Sequence, residues 1–160
     1  MDKKIATVTL LVILILVNWS IYQKEQHLAH GKSVYLKLAP VDPRSLMQGD
    51  YMALRFELSN MIKQALPKDI EVKDGRVVVE IDSRSIAKFK SISYKKKLQD
   101  NEMLLQYRVR SHKVKFATDA FFFQEGNSQR YEKARYGLFR VNDSGEMLLE
   151  SLYDKSLKRL

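Results

Sequence analysis

Ser33-Val34-Tyr35-Leu36-Lys37-Leu38 sets Val34, Leu36 and Leu38 against Tyr35 and Lys37 at a period of two. In an extended chain that period puts the three aliphatic residues on one face, so the stretch predicts a half-buried strand. The residues before it follow a different rule. From Ile5 to Gln23 the chain carries no charge for 19 residues, which at about 1.5 Å per residue roughly matches a 30 Å hydrocarbon layer. Ser33 therefore lies near the boundary between a segment suited to lipid and one suited to a sheet.

Upstream of that boundary, Trp19 and Tyr22 fall where an interfacial aromatic belt would lie, with Lys24 and Glu25 just beyond. The segment is apolar all round and has no polar stripe, which argues against a core helix. A cleaved signal peptide would also begin with Lys3, Lys4 and an apolar run. Its small-residue candidate, Ala29-His30-Gly31, lies behind a charged stretch, so an uncleaved anchor is the better reading. The expected organisation is an inside segment over residues 1–4, a transmembrane anchor over 5–22, a stalk over 23–32 and a single β-rich soluble domain over 33–160. Lys24, Lys32 and Lys37 oppose Lys3 and Lys4 across the anchor. A long C-terminal domain nevertheless crosses largely regardless of its charge, and a short basic N-terminus stays inside, so the domain is expected outside.

Downstream, about 135 residues suffice for one domain around one core. Pro40 and Pro43 end the first strand. A turn at Gly49-Asp50 leads into Tyr51–Leu58, where Met52, Leu54, Phe56 and Leu58 line one face. Ser59 is read as the N-cap of a short helix through Leu66, closed by Pro67. Asp74-Gly75, between two β-branched runs, predicts a two-residue hairpin turn. Further strands are expected over 86–92, 103–110, 113–117, 120–123, 136–141 and 146–152, the last two joined by the turn Asn142-Asp143-Ser144-Gly145. Residues 153–160 are read as a short terminal helix. Many short strands without βαβ alternation predict a mainly β domain, a β-rich α+β sandwich or barrel with one or two short helices.

The composition excludes several chemistries. With no cysteine there is no disulfide framework, no thiolate nucleophile and no Cys-built zinc site. His27 and His30 form an i, i+3 pair without a third ligand nearby, so no metal site is expected. No Gly-rich phosphate loop, His-Glu-x-x-His or Gly-x-Ser-x-Gly occurs, and neither a cofactor nor an enzymatic activity is expected. Glu80 and Asp82 share one strand face, a spacing common among surface acids.

The formal charge of +9 is local. Residues 84–115 hold ten Lys/Arg against two Asp/Glu, and Lys88 and Lys90 on one strand, with Arg108 and Arg110 on another, each share a face. Were the two strands paired through the intervening loop, the four cations would form a stripe able to meet phosphate or carboxylate. A solvated, edge-protecting sheet face explains the same pattern without a ligand. Nucleic acid is disfavoured, because the stripe lacks interleaved aromatics.

Gly49-Asp50-Tyr51-Met52-Ala53-Leu54-Arg55-Phe56 resembles the signature of the GDYXXLXY family, with Phe56 where the pattern has tyrosine. A second block from Phe121 to Val141, containing Glu125-Gly126 and Tyr136-Gly137, is similar to that family's C-terminal half. The resemblance implies a bacterial, single-anchor membrane protein, often encoded beside a large polytopic membrane protein; with the orientation argued above, the expected place is the inner membrane with the domain periplasmic or extracellular. In physical terms Gly49, Asp50, Tyr51, Leu54, Phe56, Glu125, Gly126, Tyr136 and Gly137 have turn and packing jobs. Ser45-Leu-Met-Gln-Gly-Asp50 is also similar to a stretch that follows the nucleophile in type I signal peptidases. There Val41 takes the place of the serine and Arg44 that of a proline, so the nucleophile is missing.

The expected function is that of a non-enzymatic, membrane-anchored accessory protein, held in the lipid bilayer and partnered by a polytopic membrane protein. A binding module for an anionic envelope component, using Lys88, Lys90, Arg108 and Arg110, is one alternative. A signal-peptidase-like fold without its catalytic serine is the other.

Overall fold

The computed structural model describes residues 3–39, 47–48, 51–67, 70, 72–92 and 98–160. Helix α1 covers Lys3–His30 and is long and apolar enough to cross a membrane. It runs past the apolar segment without a break to His30, so residues 23–30 of the predicted stalk are helical, whereas Lys32 already belongs to the first strand. Strand β1, Lys32–Lys37, starts two residues after α1 ends, with Val34 and Leu36 fully buried as the alternation requires.

The remaining elements are β2 (Met47–Gln48), β3 (Tyr51–Ala53), α2 (Glu57–Ala65), β4 (Val72–Ile81), β5 (Ala87–Ser91), β6 (Glu102–Arg110) and β7 (Lys113–Lys115). After them come β8 (Ala120–Phe122), the single-turn α3 (Ser128–Tyr131), β9 (Tyr136–Val141) and β10 (Met147–Tyr153). They form three antiparallel sheets, ordered β1-β9-β10, β2-β3-β8 and β5-β4-β6-β7. The mainly β expectation holds, with the sheets curled into part of a barrel around one core. Two backbone contacts close the curl. Tyr35 N–H donates to Ser85 O at 2.8 Å, joining β1 to the start of β5, and Gln106 N–H donates to Gly145 O at 2.8 Å, seating the β9–β10 turn on β6.

The core takes the inward face of each strand: Val77 and Val79 from β4, Leu105, Tyr107 and Val109 from β6, Phe139 and Val141 from β9. In β10 the register shifts between Leu149 and Ser151, so the inward positions pass from Met147 and Leu149 to Leu152. One extra residue, Glu150, exchanges the two faces of the strand, as a bulge must. Helix α2 adds Leu58 and Ile62, an i, i+4 pair on one side, and packs against β1, β5 and β7.

Three local expectations are corrected. The hairpin at Asp74-Gly75 does not form, since both lie mid-strand in β4 opposite Arg108 and Tyr107 of β6. Gly75 serves close approach instead of a turn: a Cβ there would lie 2.5 Å from the Tyr107 hydroxyl oxygen. Helix α2 begins at Glu57, two residues before Ser59, with extended Phe56 at its N-cap and no side-chain cap. The core anchors Phe56, which is 2% exposed, and so sets the point at which the chain turns helical. The C-terminal residues form no helix, because the Asp154 carboxylate accepts from the N–H groups of Ser156 and Lys158 at 2.8 and 2.9 Å. Leu157 then takes a positive φ of 59° and Arg159 bridges back to Tyr153.

Tyr107 packs on Gly75 with its hydroxyl buried and without a hydrogen-bond partner among the described residues. Burial raises its pKa above 10.0. Gly75→Ala is expected to cost about 1–3 kcal/mol in urea unfolding through overpacking. Combining it with Tyr107→Leu should cost less than the sum of the two single changes. Tyr107→Phe, which removes only the unpaired oxygen, is expected to be neutral or stabilising.

Candidate functional site

The feature that places the domain relative to α1 is the junction at the helix's C-terminal end. Lys24 Nζ lies 2.7 Å from Glu146 Oε1 at the base of β10. One turn further on, His27 Nε2 is 3.0 Å from the carbonyl oxygen of Arg140. Gly31 then passes β9 so closely that an added Cβ would lie 2.6 Å from His27 O and 3.0 Å from Arg140 Cβ. Arg140 closes the set, donating through Nη1 to Gly31 O at 3.3 Å and through Nε to Glu150 at 2.6 Å. Lys24 and His27, three positions apart, fall on one face of α1, and Gly31 follows just beyond the helix end. The Lys24 hydrogen bond holds the Glu146 carboxyl below its ordinary value of 4.5, against an opposing effect of burial.

Beside the junction lies an open cleft of about 590 Å³. Lys24, Arg108, Phe116, Phe121, Phe122 and Leu149 contribute to its wall. Phe122 is 75% exposed, and its ring centroid stands 5.7 Å from that of Tyr51. Lys24 and Arg108 bring cations to the cleft, but Glu146 pairs with the first. Asp119, ion-paired with Lys115, lies close enough to Arg108 to feel its charge.

A family model described as GDYXXLXY protein matches residues 13–152. The chain belongs to the GDYXXLXY family. No curated protein and no solved structure matches it.

Most of the GDYXXLXY signature does structural work. Gly49 and Asp50, like Val41, Arg44 and Ser45 of the peptidase comparison, lie outside the described residues. Tyr51 opens β3 opposite Phe122. Leu54 is buried and donates its N–H to Asp119 O at 2.8 Å. Phe56 meets Phe116 and Phe139 edge-on, with centroids 6.0 and 5.4 Å away. In the second block Glu125-Gly126 is a turn with φ of 86° at the glycine. Tyr136 starts β9, and Gly137 lies where a Cβ would press Leu149 and the Phe139 ring at 3.2 Å. The motif thus ties β3, the middle strand of its sheet, to the aromatic centre of the core.

The four cations singled out in the sequence do not form one stripe. Strand β4 separates β5 from β6, so the pairing that a single stripe would require does not occur. Lys88 stands opposite Glu80 and Arg108 opposite Asp74, six positions apart along β4, or about 20 Å at about 3.3 Å per residue. Each end is locally compensated. Lys88 faces Asp82 at 3.7 Å, Lys90 pairs with Glu102, and Arg110 lies 2.7 Å from Asp74, while Arg108 donates to Phe116 O at 3.5 Å. Glu80 accepts from Asn101, and Asp82 from the N–H groups of Ile86 and Arg84, which lower its pKa. A carboxylate so held stays ionised at neutral pH and is unsuited to general-acid work.

Gly31→Ala is expected to loosen the junction, seen as a broader distance distribution between spin labels at Gln26→Cys and Ser156→Cys. Lowering the pH should do the same through Glu146. Its folded pKa is depressed, so its contribution is complete above 4.5 and is lost as the pH falls below that value. Glu146→Gln should remove this acid-induced broadening while costing less than about 1 kcal/mol of domain stability, because the pair is half-exposed.

Proposed function

We propose that the chain is a single-pass bacterial inner-membrane protein whose domain, on the periplasmic or extracellular side, serves as a non-enzymatic accessory subunit of a polytopic membrane protein. The observation that carries this reading is the unbroken helix. One element contains the membrane-length apolar segment and, beyond Tyr22, the residues docked on β9 and β10. From Lys24 to His30 is about 10 Å along a helix, so the domain is held near the bilayer at a set orientation. A flexible tether would instead let it explore a wide volume. A fixed height and orientation suit a surface that must meet another membrane protein.

The shifted carboxylates belong to structural pairs. Among the described residues, the carboxylates with clearly displaced proton affinity are Asp74, Asp82, Glu102, Asp119 and Glu146, and all are lowered. Hydrogen bonds from Lys or Arg lead in four of them and a backbone N–H in Asp82. Such shifts mark structural pairs, whereas a general acid at neutral pH needs its pKa raised.

Alkaline carbonate washing of native membranes is expected to leave the full-length chain in the pellet, and mild detergent to extract it with a polytopic protein at constant ratio. A soluble mature form lacking α1 would contradict the anchor. Intact chain recovered alone from native membranes would contradict the accessory role.

A further inference from the structure

We infer that the cleft beside the junction takes the phosphate of a phospholipid headgroup from the leaflet that α1 leaves, with Arg108 as its cation and Phe122 inserted in the interfacial layer. The inference rests on the anchor reading above and adds a second contact between the domain and the bilayer. Depth is the first argument. Trp19 and Tyr22, with ring centroids 6.4 Å apart, mark the interface. Lys24 follows Tyr22 by about 3 Å along the helix, inside a headgroup layer about 5–7 Å deep. Lys24 and its partner Glu146 both line the cleft, so the cleft reaches the depth of the lipid phosphates.

The cleft is a gap between two sheets. Strands β8 and β10 each end their own sheet, and residues of both form its wall. Its volume, about 590 Å³, is that of a small-molecule site. Arg108 makes one long hydrogen bond there, to Phe116 O at 3.5 Å, and no ion pair among the described residues. A guanidinium has five N–H donors in a fork that matches phosphate, so most of its capacity is left for an oxyanion. Lys24 brings a second cation, shared with Glu146. Phe122 is more exposed than any other large apolar side chain among the described residues, those of α1 included. An aromatic ring in water beside a cation at headgroup depth suits the boundary between headgroups and acyl chains.

Two observations favour lipid over an added peptide strand. An extended segment would pair with the outer edge of β8. The Thr118 hydroxyl closes that edge at its first residue, donating to Ala120 O at 2.7 Å and accepting from Ala120 N–H at 3.2 Å. The bilayer, by contrast, is already at hand once α1 spans it, because the helix and the cleft share Lys24. Its phosphates also carry the charge that complements Arg108.

The test uses the full chain with one tryptophan at a time, reconstituted in phosphatidylglycerol vesicles whose acyl chains carry bromine near the glycerol end. The native Trp19 reports the anchor. Phe122→Trp and Met61→Trp, each combined with Trp19→Phe, report the cleft and an exposed apolar position of α2 outside it. Strong quenching by bromine is expected at positions 19 and 122, and little at 61. Arg108→Gln added to Phe122→Trp should shift the ratio of quenched to unquenched probe about fivefold toward water, the worth of one cation at an anionic surface. Arg108→Lys, which keeps the charge, should retain most of the quenching. In native membranes, a photoreactive phenylalanine analogue in place of Phe122 should yield phospholipid adducts. Quenching at position 122 no greater than at 61, indifference to Arg108→Gln, or adducts to a peptide of another protein in place of lipid would overturn the inference while leaving the anchor intact. Absence of quenching at Trp19 would remove the anchor and the inference together.

Discussion

The docking of α1 onto the β9–β10 hairpin is the constraint on which the rest depends. Lys24 and Glu146 are 122 positions apart in the chain, yet the ion pair between them sets the axis of the helix against the sheet. That pair is solvent-accessible and contributes little to stability alone. Its importance is geometric, because His27 and the close passage of Gly31 past Arg140 add a second and third point of contact. Two contacts on one helix face and a third just past the helix end fix a direction where one would leave a pivot.

The hairpin can serve as a platform because it is built into the core. Phe139 is fully buried and meets Phe56 edge-on, so β9 is pinned by the residue that ends the family signature. The turn at Asn142–Gly145 is seated on β6 by Gln106, whose N–H and side chain bond to Gly145 and Ser144. The bulge at Glu150 turns that carboxylate to Arg140, which in turn reaches Gly31. Motif, core, hairpin and α1 are thus consecutive links of one mechanical chain. Truncating Phe56 would remove a core aromatic, typically worth about 3–5 kcal/mol.

Much of this was legible in the sequence where a single residue's environment is local. Val34 and Leu36 declared β1 by alternation, the edges of β9 follow the apolar run, and Asn142–Gly145 carries the chemistry of a turn. Asp74-Gly75 misled because the dipeptide signals positive φ only if nothing else requires a missing side chain. Here Tyr107, 32 positions away, needs the space. Ser59 failed as a cap for a similar reason, since burial of Phe56 overrides a local preference worth about 1 kcal/mol. The charge map was read correctly as local, but the insertion of β4 between β5 and β6 is a matter of topology that periodicity does not encode. Likewise no pattern near Lys24 announces Glu146. Gly31, three positions before the first buried strand residue, Val34, hinted only that the chain passes closely there.

Because the chain contains no cysteine, a single fluorophore can be placed at will. The most direct measurement is the height of the domain: full-length protein carrying Ser144→Cys, labelled and reconstituted into vesicles with acceptor-bearing headgroups in the outer leaflet. A rigidly docked domain places the hairpin tip close to the surface, giving strong energy transfer with one narrow lifetime component. Weak transfer with a broad spread of lifetimes would show a domain swinging freely on its anchor, and the account would be wrong.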